Sequence, residues 1–527
     1  MITGLGGSGA SAPSSTGMVV NLTVDPNVFP VSPILDGVAD AVAAAFAADS
    51  SVATGGPCLV EPQLGVLLPN SGLRPRFSIM PSSTENVFEI RMSAQSQVND
   101  LLVYTTGLIW TLPADLWKRM SSSVADEPIT VSVRGGHWDG SSLSSVASGT
   151  SGDFSIAPVT AEGKIVYWRT ILAEDRGILK GFQVGNETVV DVLTPEQVVT
   201  PIDGMQPRCI GCHVSTPDGS YVGFANEFDG MLDNNWANGI AGIEQGSVGA
   251  KPPFLSQGAM QAMGLQDGSV GLMAFSGAHW TAGDHVMVTR KEDVGGAPQL
   301  VWIDLEASSS AQGIGFGVFQ RNGDPRGPHS PAWSHDGGTI VYTSVNTDPL
   351  GWRTDSRGAD LYSIPYANRQ GGSASTVSGA AEPDRMEYYP AFSPDDRLIA
   401  FDVVSGGGGL YDNSRAEVNV IPAQGGSAVR HAANDPPACL GQRSPGLTNS
   451  WPKWSPETAS VGNRAFYWLT FSSKRTGRPQ LFVAGVVVQD GQISTYPAFY
   501  LWNQPPDESN HTPAWDMFRV VVPPILY

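Results

Sequence analysis

The residues best suited to chemistry lie in one short segment, Cys209-Ile210-Gly211-Cys212-His213. Two cysteines three positions apart, followed directly by a histidine, form the motif that attaches c-type haem. The two thiols bond to the macrocycle, and the adjoining imidazole is the proximal ligand of the iron. We therefore expect one covalent haem c, held by Cys209, Cys212 and His213.

Another interpretation of this segment stays open. Cys209 and Cys212 could form a small-loop disulfide in an exported protein, with His213 incidental. A zinc site is disfavoured, because the chain has only four cysteines and no second Cys-x-x-Cys pair. A thioredoxin-like role fits poorly as well, because that motif belongs to a βαβ fold.

The elements that must position this segment belong to an internal repeat in residues 159–527. Each repeat is a turn followed by an apolar strand, most clearly Ser-Pro-Asp-Gly or a close variant before a run such as Ile-Ala-Phe. Proline presets φ, aspartate caps the turn and glycine accepts positive φ, so the following run returns as a buried inner strand. The six segments are Cys212–Phe224, Ala278–Val288, Ser330–Tyr342, Tyr389–Phe401, Trp451–Phe471 and Thr512–Val522.

Six such repeats predict an all-β, six-bladed propeller, with seven blades as the alternative. We expect the strands Lys164–Thr170 and Leu179–Val184 to share a blade with the C-terminal segment and so close the ring. The aromatic residues that recur once per repeat are expected to pack in the core: Trp333, Phe392, Trp454 and Trp515.

The repeat resembles that of TolB-like propellers, over roughly residues 160–527. The whole arrangement is also similar to a group of exported bacterial proteins, common in myxobacteria, with an N-terminal sandwich, a Cys-x-x-Cys-His element and a TolB-like propeller. The stretches that carry this second resemblance are Leu73–Phe77, Arg208–His213, Asn449–Ser455 and Tyr500–Gln504. The resemblance implies an architecture more than an activity.

The repeat alignment also suggests a sixth iron ligand. His329 and His511 occupy equivalent positions just before the innermost strand, and His213 falls within two positions of that site. Once the ring closes, the blade of His511 adjoins that of His213, so His511 is the first candidate for a distal ligand. The lesser candidates are His279, His329, Met231 and Met205. An open coordination position is the alternative, and it would favour reactivity over electron transfer.

The N-terminal part reads differently. Residues 1–17 are rich in Gly, Ser and Ala and predict a flexible linker. Pro33–Ser50 predicts one helix, and alternating runs such as Val87–Met92 and Ile129–Arg134 predict strands. Residues 18–158 are therefore expected to form a β-sandwich with a short helix, resembling a fibronectin type III domain.

Composition limits the partners. The net charge of −20 argues against nucleic acid and against an anionic membrane surface, both of which select for Lys and Arg. No apolar run is long enough to span a bilayer, and the first residues lack an export signal. Because c-type haem is normally attached outside the cytoplasm, we expect a periplasmic, outer-membrane-anchored or extracellular protein whose precursor carried a signal or a lipid anchor.

Two further features depend on this location. Cys58 and Cys439 are distant in sequence, and in an exported chain they could pair and tie the sandwich to the propeller. The carboxylates Glu227, Asp229 and Asp233 could bind calcium, but their spacing does not match a calcium loop, and an exposed acidic turn is favoured.

Taken together, these features favour an exported mono-haem c-type cytochrome that passes electrons to a redox partner protein or a small molecule. The first alternative is a haem enzyme with an open iron site at the propeller mouth, acting on a small molecule or peroxide. The second is a haem-free TolB-like binding or scaffold protein with a Cys209–Cys212 disulfide.

Overall fold

The structure is a computed structural model of the chain. It describes residues 17–23, 25–51, 53–171, 176–198, 207–228, 235–264, 266–267, 272–291, 297–347 and 353–524. In these ranges, no helix is both long enough and apolar enough to cross a membrane.

The N-terminal part is a sandwich of two sheets. The larger sheet contains Ile34–Asp36, Leu67–Leu68, Val87–Ala94, Leu101–Thr105, Pro128–Trp138 and Leu143–Ile156. The smaller sheet contains Cys58–Glu61, Arg76–Met80 and Ile109–Thr111. Helices Asp40–Ala48 and Ala114–Ser123 pack on this part, so the expected helix within Pro33–Ser50 is confirmed. The closer likeness to a fibronectin type III domain stays a prediction.

Alternation of apolar residues builds this sandwich. Phe88, Ile90 and Met92 point from one strand into a core that also receives Phe77 and Trp110 from the smaller sheet. Because every second side chain of a strand faces the same side, the strand buries this apolar row against the opposite sheet.

The strands of the rest of the described chain form a β-propeller of six blades, in which blades 1 and 2, and blades 4 and 5, are joined into continuous sheets. Blade 1 contains Ser509–Asp516, Lys164–Ile171, Arg176–Gln183 and Val190–Leu193; blade 2 contains Pro207–Ser215, Tyr221–Phe228, Asn235–Gly242 and Gln266–Asp267; blade 3 contains Val286–Lys291, Gln299–Asp304 and Phe316–Val318. Blade 4 contains Gly327–Trp333, Thr339–Thr347, Arg353–Pro365 and Ser375–Thr376; blade 5 contains Arg385–Phe392, Leu398–Ser405, Glu417–Pro422 and Val429–Arg430; blade 6 contains Ser450–Trp454, Ala459–Val461, Arg464–Ser473, Gln480–Gln489, Gln492–Thr495 and Phe499–Tyr500.

Smaller elements decorate the blades. Gln320–Asn322 pairs in parallel with Gly371–Ser373, and Gly408–Gly409 pairs with the third strand of blade 4. The remaining helices are Gln257–Met263 and Gly277–Thr281, with 3-10 turns at Pro195–Gln197, Ala432–Asn434 and Ala438–Leu440.

The chain closes its own ring, as the sequence predicts. The C-terminal strand Ser509–Asp516 pairs antiparallel with Lys164–Ile171, with His511 opposite Trp168 and Trp515 opposite Ile165. The aromatic residues of the repeat pack between blades as expected: Trp333, Phe392, Trp454 and Trp515.

A bulge at the same place marks the innermost strand of five blades. The strand register shifts there, and one non-glycine residue takes a positive φ. These residues are Cys212 (φ 42°), Ser330 (45°), Tyr389 (52°), Trp451 (63°) and Thr512 (43°). Such a conformation is uncommon for L-residues, so its repetition shows that the propeller backbone enforces it.

The bulge corrects one expectation. His329 and His511 lie inside the innermost strands, opposite Thr343 and Trp168, and not just before these strands. The reason is that the ladder continues on both sides of the bulge, so each strand begins several residues before the turn motif. His213 lies two positions further along its own strand, where the other bulged strands carry proline.

The sandwich is fastened to the propeller. Cys58 and Cys439 form a disulfide, which confirms the pairing considered from the sequence. Arg464 of blade 6 makes two hydrogen bonds, of 2.8 and 2.7 Å, to the carboxylate of Asp126. The indole nitrogen of Trp502 donates to the carbonyl oxygen of Arg74 at 2.9 Å.

Candidate functional site

The Cys-x-x-Cys-His segment lies in the innermost strand of blade 2, Pro207–Ser215. Cys209 follows a first register shift of this strand and pairs with Glu227 of the same blade and with Gly177 of blade 1. Cys212 and His213 occupy the bulge that follows. Both cysteines are buried and present as thiols, so the structure does not contain the alternative disulfide between them.

Two glycines let this strand approach blade 1. A Cβ atom on Gly211 would lie 2.6 Å from the ring of Trp168, and a Cβ on Gly177 would overlap both Trp168 and the sulfur of Cys209. The indole therefore lies directly against the segment. This contact gives Gly211 a role in packing that the sequence motif did not reveal.

His213 is anchored on one side only. Its Nε2 lies 3.0 Å from the carbonyl oxygen of Val166, in blade 1. Within the described part of the chain, its buried Nδ1 has no hydrogen-bond partner. Burial lowers the pKa of His213 to about 4, so the imidazole is neutral at pH 7.

The carbonyl contact fixes the tautomer of His213. A carbonyl oxygen only accepts, so Nε2 carries the proton and Nδ1 carries a lone pair. Metal-bound histidines usually donate their other ring N–H to such a carbonyl. The arrangement of His213 is therefore suitable for a metal ligand through Nδ1.

The two thiols face a common neighbour, Tyr411, in the loop after the second strand of blade 5. Although the side chain of Tyr411 is 38% exposed, desolvation of its hydroxyl and then the proximity of Cys212, Asp412 and Cys209 raise the pKa of this hydroxyl well above its ordinary value. Its hydroxyl lies 3.2 Å from Nδ1 of His511. Tyr411 thus connects blade 5 with both cysteines and with blade 1.

His511 completes this cluster from the adjacent blade. Its ring centroid lies 4.5 Å from that of Trp168. Its pKa falls to about 3, first because it is buried and then because of the positive charge of Lys474 and the proximity of His213. The structure therefore brings His511 close to the predicted haem-binding residues, together with two aromatic side chains that sequence reasoning missed.

The thiol of Cys212 is in an apolar place. It packs among residues from blades 2, 4, 5 and 6, including Tyr389 and Trp451. Burial raises its pKa to about 12, so it stays a protonated thiol at neutral pH.

The central channel of the propeller adjoins this cluster. A small cavity of about 30 Å³, partly open to solvent, is lined by residues of the innermost strands of blades 2, 4, 5 and 6 and by the blade 3 segment at Leu272 and Met273. Cys212 and His213 form part of this wall, as does Lys453 of blade 6. The segment therefore lies where the channel meets the contact between blades 1 and 2.

The other candidate ligands do not join this cluster. His329 lies two blades away, with Nδ1 2.5 Å from the hydroxyl of Ser330. His279 is in blade 3, where it contacts Asp284 at 2.9 Å and packs against Trp333. Met205 and Met231 lie outside the described residues.

The weak calcium prediction has no geometry to support it. Asp229 and Asp233 lie outside the described residues, and so does the side chain of Glu227. Across the part of the chain that the structure describes, no group of three or more His, Cys, Asp or Glu side chains is arranged to hold a metal ion.

Comparison with known proteins identifies related folds. No protein-family profile matches the chain, and no curated protein matches it in sequence. Among solved structures, a putative TolB from Agrobacterium tumefaciens is 12% identical, with a TM-score of 0.33, over 67% of this chain and 98% of that chain. The β-propeller domain of the Trilobed protease from Pyrococcus furiosus is 8% identical (TM-score 0.26; 54% and 84% covered), and Kuenenia stuttgartiensis hydrazine synthase is 10% identical (0.24; 54% and 65%). These are likenesses of fold.

Proposed function

We propose that this chain is an exported c-type cytochrome whose single haem is held by Cys209, Cys212 and His213 at the rim of the propeller channel, and that it transfers electrons. The observation that carries the proposal is the state of His213. One ring nitrogen is anchored to the Val166 carbonyl, and the other is buried with no hydrogen bond in the described structure, on the same strand as two thiols. Such a ring is prepared to bind a metal.

The neighbouring residues fit a bound macrocycle. Cys209 and Cys212 are thiols, the form required for covalent attachment, and the aromatic side chains of Trp168 and Tyr411 lie beside them. Because the indole of Trp168 packs directly against the segment, a bound macrocycle would have to displace it. When bound, haem supplies an iron that accepts and releases one electron, with a potential set by its ligands and its burial. The propeller would hold the ligand rigidly and limit the access of water.

Export is supported by the disulfide between Cys58 and Cys439. Disulfides persist in oxidising compartments and are rare in the cytosol. Covalent haem attachment belongs to the same side of the membrane, so the two features agree on a periplasmic or extracellular location.

The test is expression in an export-competent host with haem-maturation machinery. We expect a Soret band that survives acid-acetone extraction and disappears in the double variant Cys209→Ala/Cys212→Ala, which removes both thioether bonds. The matched control is the double variant Cys58→Ser/Cys439→Ser, which removes the other two cysteines and should retain the haem. Colourless wild-type protein from that host, or a mass spectrum with a Cys209–Cys212 disulfide, would reject the proposal.

Carbon monoxide separates electron transfer from enzymatic use of the iron. We propose His511 as the distal ligand, because it lies in the adjacent blade, close to His213. A low-spin spectrum that CO does not change, and that becomes high-spin and CO-sensitive in His511→Ala, supports electron transfer. A wild-type protein that binds CO or cyanide would instead favour an enzyme that acts on a small molecule or peroxide.

A further inference from the structure

A second cavity, of about 80 Å³, lies where the sandwich meets blade 6 and is partly open to solvent. Residues 60–63 and 73–76 of the sandwich form one wall, and residues 475–476 and 498–500 of blade 6 form much of the other. Leu440 closes one side, and the disulfide from its neighbour Cys439 to Cys58 fastens that turn to the sandwich. The described wall contains no residue of blade 2, so this cavity is separate from the Cys-x-x-Cys-His segment.

Three arginines line this cavity, and two of them are matched by carboxylates. Arg74 donates two hydrogen bonds to the carboxylate of Glu187. Arg76 donates two, both of 2.9 Å, to the carboxylate of Glu61. The guanidinium of Arg76 also lies 5.2 Å from the centroid of the Tyr500 ring. The charges of these two arginines are therefore balanced within the wall.

Arg475, the third arginine, is bound only by neutral groups. It is 7% exposed. Its Nε donates to the hydroxyl of Ser473 at 3.1 Å, and its Nη2 donates to the carbonyl oxygen of Ala433 at 2.6 Å and to the side-chain oxygen of Asn449 at 2.9 Å. Its Nη1 makes no hydrogen bond within the described residues and keeps accessible surface, so one donor of the guanidinium stays open to the cavity.

Asp435 is the acidic residue that acts on Arg475, and it is already engaged elsewhere. It acts at longer range than an ion pair, and both of its oxygens bind Arg430, at 2.6 and 2.8 Å. Burial lowers the pKa of Arg475 to about 10, which leaves its guanidinium charged at pH 7. A buried cation with a spare donor favours an anion in the space beside it.

The rest of the wall and the volume define that anion. The guanidinium carbon of Arg475 lies 4.5 Å from the centroid of the Phe482 ring, and Leu68 and Leu73 add apolar surface from the sandwich. The space holds about five water molecules, whereas a cavity that binds benzene has about 150 Å³. We propose that this cavity binds a short-chain aliphatic monocarboxylate such as propionate. Arg475 binds the carboxylate, and Phe482 and the two leucines contact the alkyl chain.

The experiment is a ligand-observed NMR titration of the full-length protein at pH 7, in a buffer without carboxylates. The ligands are propionate, propionamide and benzoate. We expect saturable binding of propionate. Propionamide has the same shape without the charge, and benzoate is too large for the cavity, so both should bind at least about tenfold more weakly.

Two variants change the charge at the site. Arg475→Met removes the cation and should weaken propionate binding by at least about tenfold, because a charge-assisted hydrogen bond is lost. This variant also loses the hydrogen bonds to Asn449 and Ala433, so a second variant leaves the core intact. Thr476 lines the cavity and is exposed. Thr476→Glu should weaken propionate binding several-fold, because a tethered carboxylate competes for the same guanidinium.

Two matched controls accompany them. Arg478→Met removes an exposed arginine of the same turn, and Thr476→Gln adds a side chain like glutamate without the charge. Both should bind propionate as the wild type does. The proposal is overturned by equal affinity for propionate and propionamide, by no saturable propionate binding in folded wild-type protein, or by unchanged affinity in folded Arg475→Met or in Thr476→Glu. Because the cavity is separate from Cys209, Cys212 and His213, this result and the haem test fail independently.

Discussion

Lys453→Met should stabilise the protein at neutral pH. Burial lowers the pKa of Lys453 from an ordinary value of 10.5 to about 8. One pKa unit corresponds to about 1.4 kcal/mol, so the protonated lysine costs the folded state at most about 3.5 kcal/mol. Water in the open part of the channel screens the charge, and we expect methionine to raise the free energy of unfolding by about 1–3 kcal/mol.

The pH dependence has a definite sign. Below pH 8, Lys453 is protonated in the folded and the unfolded chain, and the full cost is present. Between pH 8 and pH 10.5 the folded protein releases this proton while the unfolded chain keeps it, so the wild type becomes more stable with rising pH. The advantage of Lys453→Met should therefore shrink over this window.

The assay is urea unfolding followed by tryptophan fluorescence at pH 7 and pH 10, without carboxylate buffers. Lys118→Met is the control for replacing an exposed lysine, and its midpoint should stay near that of the wild type at both pH values. Two results would refute the account of Lys453 as a buried, poorly compensated cation. One is a urea midpoint for Lys453→Met below that of the wild type at pH 7. The other is a rise in the midpoint over the wild type that is equal at pH 7 and pH 10.

Three further variants test the packing around the site and the domain contact. Gly211→Ala should destabilise the propeller by about 1–3 kcal/mol, because its Cβ would lie 2.6 Å from the Trp168 ring; a urea midpoint equal to that of the wild type would show that the indole moves freely. Asp324→Ala should cost about 3–5 kcal/mol by the same measurement, because the fully buried carboxylate accepts hydrogen bonds from Arg321, Tyr342 and Ser344, which would lose this acceptor; a loss below about 1 kcal/mol would contradict this. Replacing Cys58 and Cys439 with serine should speed limited proteolysis of the chain between the sandwich and the propeller, while the propeller itself stays folded. An unchanged cleavage pattern would mean that the remaining contacts hold the sandwich in place without the disulfide.

The internal repeat allowed the propeller fold to be predicted from the sequence. Turn chemistry and apolar periodicity are local properties, and six copies of them predict blades, their order and the closure of the ring. The adjacency of His511 and His213 followed from that order alone. The pairing of Cys58 with Cys439 could only be raised as one option, because it depends on how the sandwich sits on the propeller.

Other parts of the site could not be predicted, because they depend on contacts between distant residues. Nothing in the segment indicates that the Trp168 indole packs against Gly211, or that Tyr411 reaches across from blade 5. Lys453 did leave a signal, since alanine stands at the matching position in blades 1, 4 and 5.

The bulge explains why side chains of different chemical type can occupy this level of the channel. Five innermost strands carry a left-handed residue at the same place, and its identity differs in every blade: Cys212, Ser330, Tyr389, Trp451 and Thr512. An L-residue in this region of φ is costly, so the conformation must be imposed by the ladder on either side, whatever the side chain. Because the backbone is fixed by the fold, the side chain at this position can change without loss of the blade. The channel is thus a rigid frame in which a thiol, a hydroxyl, a phenol and an indole occupy equivalent places, and the thiol, phenol and indole also pack into one core cluster.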